Sequence, residues 1–236
     1  MYTFDSRVRY SEIDTNNQLN IASLVNYFQD CSTFHSEDLN QGVAYLKSKN
    51  RVWLLNSWQV TINRLPLLGE NITVETWPYD FKAFFGYRNF ILKDQNNNVL
   101  AAANSIWIYM DTDNMKPVKF NIQDSAYKLE KPYTDMDYSS RKVDVPENLQ
   151  SQESFIVTKS NIDTNNHVNN AQYIKMAMDY MPSSFNICKF RAEYKKSALL
   201  NDVIYPKTVL SDNKLTILLS DEAENTYAII EFVKDK

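Results

Sequence analysis

The sequence predicts an α+β protein made of two tandem copies of one module, each an antiparallel sheet packed around a helix. Three observations carry this expectation. Residues 13 to 20 read IDTNNQLN and residues 162 to 169 read IDTNNHVN, with five identities in a row at a spacing of 149. A second pair of anchors follows in the same order, RLPLLGENI from Arg64 to Ile72 and KSALLNDVI from Lys196 to Ile204, at a spacing of 132. After the first anchor of each copy comes a helix with apolar periodicity and then a run of strands. The two spacings differ by 17, so the first copy holds 17 extra residues between its anchors.

Each element has its own signal. In the first copy a short strand leads to the IDTNN turn, and a largely helical stretch runs from Ala22 to about Lys49. Leu24, Phe28, Cys31 and His35 fall on one helix face there. In the second copy the helix covers Ala171 to Met181, and Pro182 stops it. Lys175 and Asp179 are its charged residues, so it is expected to be buried nearly all round. WQVTINRL and NITVETWPY read as strands joined by a turn with Pro and Gly. YRNFILKD and NNVLAAANSIWIYMD flank an Asn cluster, a hairpin signal, and KLTILLSD and NTYAIIEFV flank DEAEN in the same way. Residues 116–152 mix Pro117, Pro132 and Pro146 with Asp, Ser and Lys, and read as a linker over the surface. The chain then divides into 1–115, 116–152 and 153–236. Strand, helix and meandering strands are the order of a hotdog fold, so the expected architecture is a tandem double hotdog.

Composition narrows the function. A net charge of −4 and a pI of about 5.3 argue against nucleic acid as a partner. Two distant cysteines, Cys31 and Cys188, offer no zinc-ligand spacing, so no metal is expected. They fit a reducing compartment as buried, inert thiols. No signal-like apolar core and no membrane-spanning run is present, and the expectation is a soluble, cytoplasmic chain. Glycine occurs three times only, and Asn clusters mark the turns in its place.

With two histidines the search for chemistry is short. His35 lies on the apolar helix face with no acid or nucleophile near it in sequence, and reads as a packed side chain. His167 lies in DTNNHVNN, whose residue types favour turns and caps over helix interior. In extended chain Asp163, Asn165 and His167 would project to one side. Asn169 or Asn170 would cap the next helix, whose N-terminus offers unpaired N–H groups. The first copy keeps Asp14 and Asn16 but has Gln18 in place of His167. Gln carries no proton at neutral pH, so that copy is expected to be catalytically dead. Asp and Asn persist there, so part of their role is structural.

At these residues the chain resembles the acyl-acyl-carrier-protein thioesterases of plants and bacteria. The resemblance rests on DxNxHVNN followed by AQYI, and in the first half on Trp58-Gln59-Val60, Arg64, Pro66, Gly69, Val74, Thr76, Trp77, Gly86, Arg88 and Ser105-Ile106-Trp107. It spans nearly the whole chain. It implies the catalytic set Asp163, Asn165 and His167 and the hydrolysis of fatty acyl thioesters without a cofactor. The substrate would be an acyl chain on the phosphopantetheine of an acyl carrier protein. Asp163 would be a base for water or a direct nucleophile. Asn165 would orient Asp163 or the carbonyl, and His167 would position water or polarise the site. Helix-start N–H groups near Asn169 and Asn170 would hold the oxyanion. The family's acidic residue and Cys in a later strand fall on Ser197 and Ala198, which is a departure. Glu193, four residues away, is too distant along a strand to substitute, so Ser197 holds a water or the carboxylate is dispensed with.

The resemblance places an apolar acyl slot in the first half. Trp53, Trp58, Phe84 and Phe85 are candidates for it and equally for ordinary core. Lys189, Arg191, Lys195 and Lys196 would receive the acidic carrier or be a solvated face. Competing readings are an acyl-coenzyme A thioesterase, a hotdog dehydratase and a non-catalytic acyl-thioester binding module. A monomer and a homodimer both fit the tandem arrangement.

Overall fold

A computed structural model describes residues 1–182 and 185–235. The chain forms two compact units, one of residues 1–56 and 60–138, the other of 57–59 and from Ser139 onward.

The first unit begins with β1 (Tyr2–Arg7), followed by the IDTNN turn and helix α1 (Ile21–Asp38). Asn20 caps α1, its side-chain oxygen accepting from Ser23 N at 2.8 Å. Ile21, Leu24, Val25, Phe28 and Cys31 form the buried face of α1. Burying each of the larger ones contributes about 1.5–3 kcal/mol. The helical stretch does not run unbroken to Lys49. It stops at Asp38, Asn40 takes a positive φ of 56°, and a short helix α2 (Val43–Ser48) resumes beyond Gly42. The strands β2 (Arg51–Ile62), β3 (Asn71–Lys82), β4 (Phe85–Asp94) and β5 (Val99–Asp111) follow. β1 pairs with β3, β3 with β4 and β4 with β5, all antiparallel. The β3–β4 register shifts between Pro78, which pairs with Arg88, and Asp80, which pairs with Tyr87, so Tyr79 is the extra residue of a bulge. A short β6 (Lys116–Pro117) pairs with β5.

The second unit repeats this order. After β7 (Gln150–Ser151) and β8 (Phe155–Ile156) come the second IDTNN turn and helix α3 (Asn170–Met178). α3 ends three residues before the expected Met181, with Ala171, Tyr173, Ile174, Met176 and Ala177 buried. Then come β9 (Ile187–Tyr194), β10 (Val203–Ser211), β11 (Lys214–Ser220) and β12 (Thr226–Lys234), paired in the order β9–β12–β11–β10. β7 and β8 both pair with β10, as β1 pairs with β3. Each unit is thus a helix against an antiparallel sheet, and the pair is the expected double hotdog.

The two anchors meet in space in both units. Leu19 N donates to Pro66 O at 2.8 Å, and Val168 N donates to Ala198 O at 3.0 Å. Val8 exchanges bonds with Gly69 and Glu70, and Val157 exchanges the same bonds with Asn201 and Asp202. Gly69 and Asn201 both take positive φ, 83° and 71°. The Leu-Leu loops are therefore one structure built twice.

The segment read as a surface linker is partly internal. Tyr127, Met136 and Val143 are buried. Trp77 Nε1 donates to Lys131 O at 2.9 Å, and Asn89 Oδ1 accepts from Tyr133 N and Tyr138 Oη. Residues 116–138 cluster with the first unit and 139–152 with the second. Long-range partners of this kind leave no periodicity for a sequence to display.

At Asn201 the left-handed backbone tolerates glycine without strain. Asn201→Gly should change stability by less than about 1 kcal/mol, whereas Asn201→Val should lose about 1–2 kcal/mol, as read by urea denaturation.

Candidate active site

The segment from Asp163 to His167 is not extended. Asp163 N donates to His167 O at 2.8 Å, and Asn166 N donates to Asp163 O at 3.1 Å. Asn166 supplies the positive φ, 61°, that closes the loop. Asp163 Oδ1 lies inside it and accepts from Asn165 N at 2.8 Å and His167 N at 3.3 Å. The expectation that alternate side chains project together is corrected here, because an Asp acceptor satisfies backbone donors better in a closed turn than in a strand. Asp163 and His167 are half-buried and Asn165 is exposed.

The first copy builds the same turn. Asp14 Oδ1 accepts from Asn16 N at 2.8 Å and Gln18 N at 3.1 Å, and Asn17 has φ 60°. Burial is the same position for position over 12–20 and 161–169. The structural share of Asp163 is thus visible in Asp14. The two turn bonds to Asp163 use Oδ1 alone, which leaves Oδ2 outside them.

Directly after the turn Asn169 caps α3, its side chain accepting from Ala171 N at 2.8 Å. Asn170 is the first helical residue, and its carbonyl accepts from Tyr194 Oη at 3.1 Å. The bond from Val168 N to Ala198 O sets the 197–198 loop beside the turn. Ser197 is exposed in that loop. β9 ends at Tyr194, so residues 193 to 197 are not the continuous strand that was expected. Glu193 is 5% exposed and accepts from Val143 N at 3.0 Å, so its carboxylate is committed to the linker.

The four basic residues differ. Arg191 donates to Ser140 O at 2.5 Å and Lys142 O at 2.6 Å, and lies 3.7 Å from Glu231. It ties the linker to β9 and is not a free cation. Lys196 pairs with Asp221 at 3.1 Å and sits over the Tyr227 ring. Lys195 is exposed, 4.0 Å from Glu193, and Lys189 is half-exposed on β9.

In the first unit Trp53 is half-buried, its ring centroid 4.7 Å from Tyr109, 5.0 Å from Phe120 and 5.9 Å from Phe81. A Cβ on Gly86 would lie 3.0 Å from Trp53 and 3.1 Å from Phe81, so any larger residue there would push these rings by a few tenths of an ångström. Phe84 and Phe85 are half-buried with centroids 4.5 Å apart, and Trp58 is 1% exposed. Among the described residues no His, Cys, Asp and Glu group is placed to hold a metal ion. Cys31 is fully buried and its thiol is pushed up to about 12, chiefly by burial. Cys188 is only half-buried, where a buried thiol was expected.

His35 is packed, as its helix position predicted. It stacks on Tyr2 at 5.1 Å, and its Nδ1 lies 3.0 Å from Nη1 of buried Arg88. Burial first, and then the Arg88 charge, lower its pKa to about 4. Between about pH 4 and the ordinary histidine value the unfolded chain binds the extra proton, so stability falls as pH drops through that window. Titration of the His35 ring by NMR should show a midpoint near 4. His35→Gln should remove part of the acid-side stability loss seen in denaturation across that window.

The chain matches the family described as acyl-ACP thioesterase N-terminal domain over residues 1–128 and the matching C-terminal domain over 145–234. It is 22% identical over 224 residues to acyl-[acyl-carrier-protein] hydrolase FATB1, chloroplastic, of Cuphea viscosissima, covering 88% of this chain and 54% of that protein. It is 23% identical over 219 residues to oleoyl-acyl carrier protein thioesterase 1, chloroplastic, of Arabidopsis thaliana, covering 84% and 60%. The chain thus spans about half the length of the first of these relatives. An acyl-ACP thioesterase structure from Bacteroides thetaiotaomicron superposes with a TM-score of 0.89 at 23% identity, over 99% of this chain and 97% of that one. The 12:0-ACP thioesterase from Umbellularia californica superposes with a TM-score of 0.84 at 18% identity, over 99% and 97%. Both superpositions speak to the fold, and among the described residues no helix is long and apolar enough to cross a membrane. With both domains of one family matched in order along its length, the chain belongs to the acyl-ACP thioesterase family.

Proposed function

We propose that this protein hydrolyses fatty acyl thioesters of acyl carrier protein to a free fatty acid and the carrier thiol. One observation carries the reading. The chain builds the same Asp-centred turn twice, and only the second turn ends in an ionisable side chain, His167 in place of Gln18. Family membership supplies the reaction class.

In this reading water adds to the thioester carbonyl and the C–S bond then breaks. Asp163 takes the water proton through Oδ2, the oxygen outside the turn, or attacks the carbonyl carbon itself. Asn165 and His167 orient water and carbonyl, and the Asn170 N–H at the start of α3 meets the developing oxyanion, since Asn169 N and Ala171 N donate to Asn161 O and Asn169 Oδ1. One such donor is typically worth about 3 kcal/mol. The departing thiol has a pKa of about 8 to 9 and leaves with little acid help, so no full triad is required. Ser197, where the family pattern expects an acid, holds a water in this scheme. The acyl chain lies in the first unit near Trp53, Phe84 and Phe85, whereas Trp58, 1% exposed and grouped with the second unit, is packed core. Carrier docking falls to Lys189, Lys195 and Lys196, while Arg191 is held by the Ser140 and Lys142 carbonyls. A cytoplasmic location is part of the same proposal, while the named plant relatives are chloroplastic proteins.

Fatty acid release from a series of acyl-ACP thioesters, with acyl-coenzyme A in parallel, tests it. Asp163→Asn keeps an acceptor for the turn while removing the charge, and His167→Gln installs the first copy's residue. Each should lower kcat by about 10²-fold or more, while Asp14→Asn stays near wild type. Full activity in both variants, or no release from any thioester by folded protein, would sink the proposal.

A further inference from the structure

The two copies share the bonds within the turn and the one from Leu19 N or Val168 N to the Leu-Leu loop, so the side chains that differ stand out. Besides Gln18 and His167, two positions differ together. Leu24 of α1 corresponds to Tyr173 of α3, and Pro66 corresponds to Ala198. Tyr173 is 2% exposed and Ala198 is fully buried. Ala198 N donates to Tyr173 Oη at 2.8 Å, while Ala198 O accepts from Val168 N at 3.0 Å. In the first copy Leu19 N donates to Pro66 O at 2.8 Å, so the carbonyl half of the arrangement is kept. Proline has no N–H and leucine no acceptor, so donor and acceptor are lost as a pair from the copy that has Gln18.

Resting on the thioesterase reading of the second turn, we propose that Tyr173 is a positioning residue. Its hydroxyl pins Ala198, and so Ser197, against the Asp163–His167 turn. The ring is held from the other side by Tyr194, with centroids 5.9 Å apart, and Tyr194 Oη donates to Asn170 O. The tyrosine pair thereby links the first turn of α3 to the loop ahead of β10. Burial, then the Tyr227 phenol and the Asp202 and Asp163 carboxylates, raise Tyr173 above the ordinary phenol range. Its hydroxyl therefore stays protonated. A merely structural strut would have been equally useful in the first copy, where the pair is replaced by Leu24 and Pro66.

Tyr173→Phe removes the hydroxyl and leaves a buried N–H unpaired. The double variant Tyr173→Phe/Ala198→Pro removes that N–H as well, as in the first copy. The measurements are kcat and KM on acyl-ACP, the thermal midpoint, and amide hydrogen exchange at Val168. For Tyr173→Phe, kcat should fall on the order of 10²-fold, with KM within about threefold of wild type. Its midpoint should drop by roughly 3–6 °C, and Val168 exchange should quicken. In the double variant the midpoint should return toward wild type while kcat stays low. Recovery of kcat together with stability would overturn the proposal, as would an unchanged kcat in Tyr173→Phe. Should wild type release no fatty acid, the thioesterase reading fails separately, and Val168 exchange decides. Faster exchange in Tyr173→Phe would then support positioning of the turn, and unchanged exchange would overturn it.

Discussion

A carboxylate turned back on its own backbone sets the frame of both units. Asp14 and Asp163 each accept two backbone N–H groups four residues or fewer ahead, and an Asn in left-handed conformation closes each loop. The same device recurs at the strand hairpins. Asp94 Oδ1 accepts from Asn96 N and Asn98 N, and Asp221 Oδ1 accepts from Asn225 N. Asp is short enough to reach these donors, and Asn tolerates positive φ where this glycine-poor chain has no Gly to spend. Each of the first two turns fixes where a helix starts. Each also presents the amide, Leu19 N or Val168 N, that fastens the Leu-Leu loop. Helix start, loop and first long strand are thereby held in one register.

On this shared frame the copies carry different contents. The first unit buries Arg88 against His35 Nδ1, Thr76 Oγ1 and the Tyr127 ring. His35 is thereby kept neutral, which suits a packed group beside a buried cation. The second unit places tyrosines around α3 and an imidazole at the end of the turn. Asp163 serves two masters there. Oδ1 is an architectural acceptor, and in the proposed function Oδ2 meets water. A residue so bound is held in one orientation, which favours catalysis by preorganisation.

The linker completes the units, since it supplies polar groups that the strands require. Asn89, fully buried in β4, would have an unmet oxygen without Tyr133 N and Tyr138 Oη. Arg191 on β9 is satisfied by the carbonyls of Ser140 and Lys142. These contacts explain why a segment rich in Pro, Ser and Asp holds Tyr127, Met136 and Val143 in buried positions.

The sequence by itself determined the duplication, the order of elements, the turn positions and the asymmetry between Gln18 and His167. Those features are local, because turn chemistry, apolar periodicity and residue identity at matched positions act over a few residues. Tyr173 is legible too, since AQYI corresponds to ASLV in the first copy and a tyrosine in the place of Leu24 is a chemical change. Only the tertiary structure decided that Asp163 folds into its own loop, and that Glu193 and Arg191 belong to the linker. It also decided that His35 meets Arg88 and that Ala198 meets Tyr173. Each of these is a bond between residues far apart in sequence, or a competition between backbone and side chain for one acceptor. Burial settles such competitions, and burial exists only once the chain has folded.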